Sequence, residues 1–104
     1  MRTLFISLLA VWGLLIPATA AEFVVDQKDM TFTPEAITIA VGDKVKFTNN
    51  DRTAHHVWTK DNGVSYSTPM LKPGDSYEFK FDKPGIYTVK CQIHPKMKLV
   101  VTVK

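Results

Sequence analysis

Apolar and polar residues alternate along much of the chain after residue 21. The alternating or β-prone runs are residues 22–25, 37–41, 45–47, 55–59, 77–81, 87–91 and 99–103. A period of two puts the apolar side chains on one face of an extended segment, so each run predicts a short, half-buried β-strand. No segment after residue 21 has the period of 3.6 that is typical of a helix.

Turn-forming residues separate these strands, as at Gly42-Asp43, 49–52 and 61–63. A turn at Lys83-Pro84-Gly85 predicts a hairpin between the strands at 77–81 and 87–91. Residues 64–76 contain Pro69, Pro73 and Gly74 and are predicted to form a surface excursion. The pattern indicates an all-β protein of seven or eight strands, a small Greek-key β-sandwich or flattened barrel.

The first 21 residues differ from the rest of the chain. Arg2 precedes an apolar stretch from Leu4 to Ile16, and Pro17 separates that stretch from small residues that end at Ala21. This order is typical of a secretory signal peptide, and the apolar stretch is shorter than the roughly 20 residues of a membrane helix. We expect residues 1–21 to be removed, leaving residues 22–104 as one exported domain without a membrane span.

Charge gives little indication of a partner. The formal net charge is +3, one unit of which comes from Arg2, and the lysines alternate with acidic residues without forming a basic run. Nucleic-acid binding is therefore not predicted.

The residues with distinctive chemistry lie in CQIHPKM, from Cys91 to Met97. Cys91, His94 and Met97 follow at intervals of three, and Pro95 stiffens the turn between the last two. One tight loop can therefore bring a thiol, an imidazole and a thioether to a single soft metal ion. Cys91 is the only cysteine and cannot form an internal disulfide, so metal binding gives it a function in an exported protein.

A loop this short approaches a metal from one side, and a further ligand has to come from His55 or His56, the other two histidines. His55 shares the parity of the apolar Val57, which favours it. Two imidazoles, a thiolate and a thioether form the ligand set of blue-copper electron-transfer sites. Zinc sites use Cys, His and carboxylates instead, so copper is favoured over zinc.

Several segments together resemble the cupredoxins, in particular the plastocyanin, amicyanin and pseudoazurin group. They are FTPEAITIAVGDKVKFTNND, the His55-His56-Val57 step, PGIYTVKC and CQIHPKM, the last of which is similar to the ligand loop of amicyanin. The resemblance implies that His55, Cys91, His94 and Met97 bind one copper ion, with Met97 as the weak axial ligand. His56 replaces the usual Asn. Its backbone N–H is still expected to donate to the Cys91 sulfur, and its ring either faces solvent or competes as a ligand.

The resemblance also implies a function. We expect a monomeric periplasmic type 1 copper protein that transfers one electron by cycling between Cu(II) and Cu(I), with the His94 edge as the electron port. Redox partners such as a dehydrogenase or a cytochrome are expected to dock on an apolar patch near the port, ringed by lysines. The patch residues are His94, Pro95, Met70 and Leu71, and the lysines are Lys60, Lys72, Lys96 and Lys98.

One other function remains open at this point. A periplasmic protein for copper resistance, storage or delivery could use the same ligands, and His56 as a spare ligand favours it. An enzyme is not predicted, because four protein ligands leave no open metal position for a substrate.

Overall fold

The computed structural model describes residues 20–104, in which nine β-strands form two sheets and no helix occurs. The strands are β1 (Glu22–Lys28), β2 (Thr31–Thr33), β3 (Ala36–Ile39), β4 (Lys44–Asn49), β5 (Val57–Asp61), β6 (Val64–Ser67), β7 (Ser76–Lys80), β8 (Gly85–Cys91) and β9 (Lys98–Val103). One sheet has the order β2-β1-β4-β7 and the other has the order β3-β9-β8-β5-β6. The predicted all-β sandwich is confirmed, with nine strands in place of seven or eight.

The described part of the chain begins just before the first strand. The signal peptide predicted for residues 1–21 lies outside the described residues, except for Ala20 and Ala21. Within residues 20–104, no helix has the length and apolar character needed to cross a membrane. The first strand begins at Glu22, where the exported domain was predicted to start.

The core lies between the two sheets and is formed by the inward positions of the alternating runs. Val45 and Phe47 of β4 are fully buried, as are Tyr87 and Val89 of β8. The Phe47 ring packs edge-on against Phe79, with ring centroids 5.5 Å apart. Burial of each such side chain contributes about 1.5–3 kcal/mol to the free energy of folding. The period-two pattern puts these side chains on one face of each sheet, so the two sheets pack with those faces together.

The hairpin predicted between β7 and β8 is wrong. β7 pairs with β4 in the four-stranded sheet, whereas β8 pairs with β5 and β9 in the other sheet. The turn at residues 83–85 therefore carries the chain across the core, and the Tyr87 hydroxyl donates to the Lys83 carbonyl at 2.6 Å to hold that turn. Phe81 and Tyr87 then meet face to edge, with centroids 5.0 Å apart. The sheets are mixed, because β1 pairs with β4 and β3 pairs with β9 in parallel, whereas the other pairs are antiparallel.

Residues 64–76 are less irregular than predicted. Their first four residues form β6, which pairs with β5 and turns Tyr66 toward the core. The Tyr66 ring stacks on Phe79 with centroids 4.7 Å apart, and its hydroxyl donates to the Lys80 carbonyl. Pro69, Pro73 and Gly74 all follow the strand, so they do not interrupt it.

The strand predicted at residues 37–41 ends two residues early. The Asp43 side chain accepts hydrogen bonds from the Ala40 N–H at 2.9 Å and from the Ala21 N–H at 3.0 Å. This nearly buried carboxylate bends the chain after Ile39, which leaves Val41 exposed.

Asp43→Ala should lower the free energy of unfolding by about 2 kcal/mol, because two backbone N–H groups lose their acceptor. Urea denaturation measures the loss. Asp75→Ala is the matched control, since that exposed carboxylate accepts from one N–H, of Lys72. Equal losses in the two variants would contradict the role assigned to Asp43.

Candidate metal centre

The four predicted ligands lie on three segments at one end of the sandwich. His55 precedes β5, Cys91 is the last residue of β8, and His94 and Met97 lie in the loop that leads to β9. The Cys91 Sγ is 3.5 Å from the His55 Nδ1, and the His55 and His94 ring centroids are 4.9 Å apart. Met97, the last residue of that loop, is buried.

These contacts are pairwise. In the part of the chain from residue 20 onward, no three His, Cys, Asp or Glu side chains already stand as a cluster that could hold a metal ion. Met97 carries a thioether and is not counted among those four residue types. The structure therefore brings Cys91, His55 and His94 together in pairs, and Met97 is joined to His94 by a backbone hydrogen bond.

The strand pairing explains the position of Cys91. Tyr87 and Val89 point into the core, and Cys91, two residues further along β8, has the same orientation and is 1% exposed. Val57 at the start of β5 pairs with Cys91, which brings His55 and His56, just before that strand, next to the thiol. The run at residues 87–91, which was predicted to be a half-buried strand, therefore carries the Cys91 sulfur on its inward face.

His55 is held on both sides. Its backbone N–H donates to the Leu71 carbonyl at 2.9 Å, and its carbonyl accepts from the Leu71 N–H at 2.8 Å. On the ring, Nε2 lies 2.9 Å from the Asp51 Oδ2. An ionised carboxylate can only accept, so Nε2 donates to Asp51, and Nδ1 is the ring nitrogen that faces Cys91.

The residues that hold this loop were missed by the sequence analysis, which treated 49–52 only as a turn. Asn49 is buried, and its Nδ2 donates to the carbonyls of Thr53 and Leu71 at 2.9 and 2.8 Å. Its Oδ1 accepts from the Asp51 N–H at 2.8 Å. A buried Asn at a strand end was the available signal, but its partners are distant in sequence.

Asp51 is the one strongly perturbed carboxyl beside the predicted ligands. Burial by itself raises its pKa, but hydrogen bonds from the Met30 N–H, His55 and the Arg52 N–H outweigh burial and lower the pKa to about 2. The Met30 N–H donates at 2.8 Å to the same oxygen that contacts His55. Asp51 therefore stays ionised at neutral pH and links His55 to the segment around Met30.

The His56 backbone N–H lies 3.4 Å from the Cys91 Sγ, so the predicted donation to the sulfur is confirmed. The His56 carbonyl accepts from the Gln92 N–H at 3.0 Å, which joins the two segments by backbone bonds on either side of Cys91. The ring is half-buried, and its Nε2 lies 2.7 Å from the Ser67 Oγ. The ring therefore contacts β6 instead of competing with His55.

His94 connects the interior to the surface. It is half-buried, and its Nε2 is shielded from solvent without a hydrogen-bond partner among residues 20–104. The backbone of the loop closes with a hydrogen bond of 3.0 Å from the Met97 N–H to the His94 carbonyl. On its outer side, His94 lines a shallow hollow with Met30, Pro95 and Lys96.

Part of the predicted docking patch is wrong. Leu71 is 2% exposed, because both of its backbone groups bond to His55 and its side chain packs in the core. Met70 is 51% exposed and remains available, and Met30, which is 54% exposed, lines the hollow beside His94. Lys60 lines a different hollow, with His56 and Trp58, and so does not border this patch.

Sequence comparison gives consistent relatives. The chain matches the family model of copper-binding proteins of the plastocyanin/azurin family over residues 19–104. It is 36% identical over 78 residues to amicyanin-alpha of Methylorubrum extorquens, covering 72% of this chain and 66% of that protein. It is 28% identical over 90 residues to plastocyanin of Ulva pertusa, covering 76% and 92%. The chain spans half the length of a pseudoazurin-like sequence of Rhizobium leguminosarum to which it is 36% identical over 77 residues.

Solved structures agree on the fold. A reduced amicyanin variant aligns with a TM-score of 0.73 at 28% identity, over 86% of this chain and 87% of the other. A copper-containing nitrite reductase from Thermus scotoductus aligns with a TM-score of 0.75 at 30% identity, but over only 23% of its own chain. The family match spans all of the described residues, and it gives the conclusion directly: the chain belongs to the plastocyanin/azurin family of copper-binding proteins.

Proposed function

We propose that this protein is a type 1 blue copper protein that transfers single electrons between redox proteins, with His55, Cys91, His94 and Met97 as the copper ligands. The observation that supports it most strongly is the 3.5 Å approach of the His55 Nδ1 to the buried Cys91 Sγ. Copper is the cofactor of the family, and membership of this family supports a function in electron transfer.

The donors fit copper chemically. A thiolate, two imidazoles and a buried thioether are the soft set that suits this metal, and the carboxylate nearest to them contacts the ring of His55. A buried polar atom without a partner costs about 1–3 kcal/mol, and metal binding would remove that cost at the His94 Nε2. When bound, the copper supplies a one-electron couple, Cu(II)/Cu(I).

The chain's own residues keep the donors in place. Cys91 ends a strand that is paired on both sides, with β5 and with β9. Asp51 holds the His55 ring, and the backbone N–H of His56 points at the sulfur, where it stabilises thiolate charge. Donors fixed on rigid elements need little rearrangement when an electron arrives, which favours fast transfer.

His94 is the proposed electron port, and the surface around it is the proposed docking site. The patch is redefined as Met30, Met70, His94 and Pro95, with Lys96 at its rim. We propose that it receives a redox protein such as a dehydrogenase or a cytochrome. We further propose that the protein acts as a monomer in the periplasm after removal of residues 1–21. Relatives named amicyanin and pseudoazurin support the periplasmic location.

Copper handling is not favoured. That alternative depended on His56 as a spare ligand, and the His56 ring contacts Ser67 instead. Release of a metal also requires exposed or mobile ligands, whereas Cys91, His55 and Met97 are all buried. The amicyanin and plastocyanin relatives are likewise carriers and not enzymes.

Adding Cu(II) to the purified protein should produce an intense blue absorption that a reductant bleaches reversibly, because a thiolate would be bound to the metal. Cys91→Ser should abolish the colour, with far-UV circular dichroism checking that the variant is folded. Colour that persists without this sulfur would refute the ligand assignment. A colourless protein that binds Cu(I) and exchanges it readily would support copper handling.

Met97→Leu should keep the blue colour and raise the reduction potential by roughly 60 mV or more. For a one-electron couple, that shift is a tenfold change in the equilibrium constant for reduction. Leucine cannot donate to the metal, and Cu(I) requires fewer donors than Cu(II). Protein-film voltammetry measures the shift. Met70→Leu is the control, since this exposed side chain is not a proposed ligand, and its potential should stay at the wild-type value. An unchanged potential in the Met97 variant would exclude axial ligation.

Asp51 should make the metal-free protein acid-sensitive. Its folded pKa of about 2 lies below its ordinary value of 3.8, so the stabilisation is complete above pH 3.8 and is lost as the pH falls through about 2. Its side chain is 11% exposed, and the shift corresponds to about 2 kcal/mol. Urea unfolding from pH 5 to 2 should therefore show a smaller loss in Asp51→Asn than in the wild type.

The matched control for this prediction is Asp29→Asn, which changes an exposed carboxylate and should follow the wild-type pH dependence. An Asp51→Asn protein that also follows the wild type would mean that the contact with His55 does not stabilise the fold.

A further inference from the structure

A second surface with distinctive chemistry lies on the outer face of the five-stranded sheet. The strand register aligns Ser67, Trp58, Lys90 and Lys98 side by side across β6, β5, β8 and β9. The Lys90 Nζ lies 5.8 Å from the centre of the Trp58 ring, within cation–π range. An indole thus lies at the centre of this row, with two ammonium groups on one side of it.

The face is concave on both sides of Trp58. One hollow of about 360 Å³ is lined by His56, Trp58, Lys60, Ser67 and Gln92, among others. A second hollow of about 360 Å³ is lined by Trp58, Lys60, Asp61, Thr88 and Lys90. Both share Trp58 and Lys60, so they form one indented surface, which we call the Trp58 face together with Lys98, the strand partner of Lys90.

The charge on the Trp58 face is positive overall, with three lysines against one carboxylate. Lys60, Lys90 and Lys98 are exposed, and within residues 20–104 none of them is in an ion pair. The single carboxylate lining the hollows, Asp61, accepts the Thr88 N–H at 2.7 Å. A surface of this charge favours a partner that presents carboxylates, because ammonium groups without partners raise the local positive potential.

The Trp58 face is also connected to the proposed copper thiolate. The His56 ring lines one hollow, while the backbone N–H of the same residue is 3.4 Å from the Cys91 Sγ. The route from the surface to the sulfur therefore consists of one residue and one hydrogen bond. The hollow beside His94 is separate, since its lining residues are Met30, His94, Pro95 and Lys96.

We propose that the Trp58 face is a second docking surface, for a redox protein with a carboxylate-rich surface, and that electrons pass between that partner and Cys91 through His56. This inference rests on the proposed electron-transfer function. In the oxidising direction, one electron leaves the Cu(I) protein and reduces the partner's one-electron centre, and no bond or proton changes place. Neutral apolar partners fit the patch at His94 better, because the Trp58 face carries three lysines.

The first test is a titration of the ¹⁵N-labelled, Cu(I)-loaded protein with an octaglutamate peptide. The largest NMR shifts should appear at the Trp58 indole N–H and the amides of Lys60 and Lys90. Lys60→Glu/Lys90→Glu should weaken binding about tenfold through charge reversal. Lys44→Glu/Lys83→Glu makes the same change in net charge, on β4 and in the turn before β8, and should weaken it much less.

The second test is the rate at which hexacyanoferrate(III) oxidises the Cu(I) protein. The Lys60/Lys90 double variant should react about tenfold more slowly at 0.01 M ionic strength, and the difference should vanish near 1 M, where the Debye length falls from about 30 to 3 Å. Lys96→Glu, beside His94, should have a smaller effect than the double variant.

Three results would overturn the proposal: peptide shifts confined to His94, Pro95 and Lys96; equal weakening in the two double variants; or tighter binding to phosphatidylglycerol vesicles than to the peptide. A Lys96 variant that slows oxidation more than the Lys60/Lys90 variant would remove the electron route. If the protein is blue and redox-active but the peptide does not shift the Trp58 indole N–H signal, this inference is contradicted and the proposed function is not. A protein that never turns blue contradicts the proposed function as well.

Discussion

The pairing of β5 with β8 is the constraint on which the candidate metal centre depends. It sets Val57 opposite Cys91, and this register brings the two residues before Val57 to the sulfur: the His56 N–H at 3.4 Å and the His55 Nδ1 at 3.5 Å. A shift of one residue would turn Cys91 to the outer face of the sheet, where it could meet neither group. The buried faces of Tyr87 and Val89 fix the register, so core packing and the position of the donors are specified together.

The candidate metal centre also requires that the loop before His55, residues 50–54, keeps a fixed conformation. Residues 50–54 lie outside the strands, and Asn49 holds them through hydrogen bonds with Thr53 and Asp51 and ties them to Leu71 through a third. Asp51 in turn fixes the His55 ring, and the bonds between His55 and Leu71 anchor the backbone. The result is a supporting shell of polar groups around an otherwise apolar end of the sandwich, the arrangement that keeps ligand positions constant.

The sequence was sufficient where periodicity and spacing are local. Alternation identified the strands and the inward orientation of Cys91, and the spacing of CQIHPKM identified one loop with three donors. It failed where the answer depends on partners far along the chain. Alternation is identical for two strands of a hairpin and for two strands that face each other across a core, so the link between β7 and β8 was misassigned.

The same limit explains the errors at the site. Leu71 was assigned to the surface patch by the family resemblance, but hydrogen bonds to His55, 16 positions earlier, hold it in the interior. Asp51 and Asn49 looked like ordinary turn residues, since nothing local indicates that their side chains reach Met30, His55 and Leu71. Polar residues that support a site are recognised by their partners, and these become visible only in three dimensions.

Copper K-edge X-ray absorption of the copper-loaded protein tests the central claim most directly, because it reports the atoms nearest to the metal without relying on colour. We predict one close sulfur and two imidazole nitrogens, with the sulfur contribution lost when Cys91 is replaced by Ser. A shell of oxygen and nitrogen alone in the wild-type protein would contradict the account.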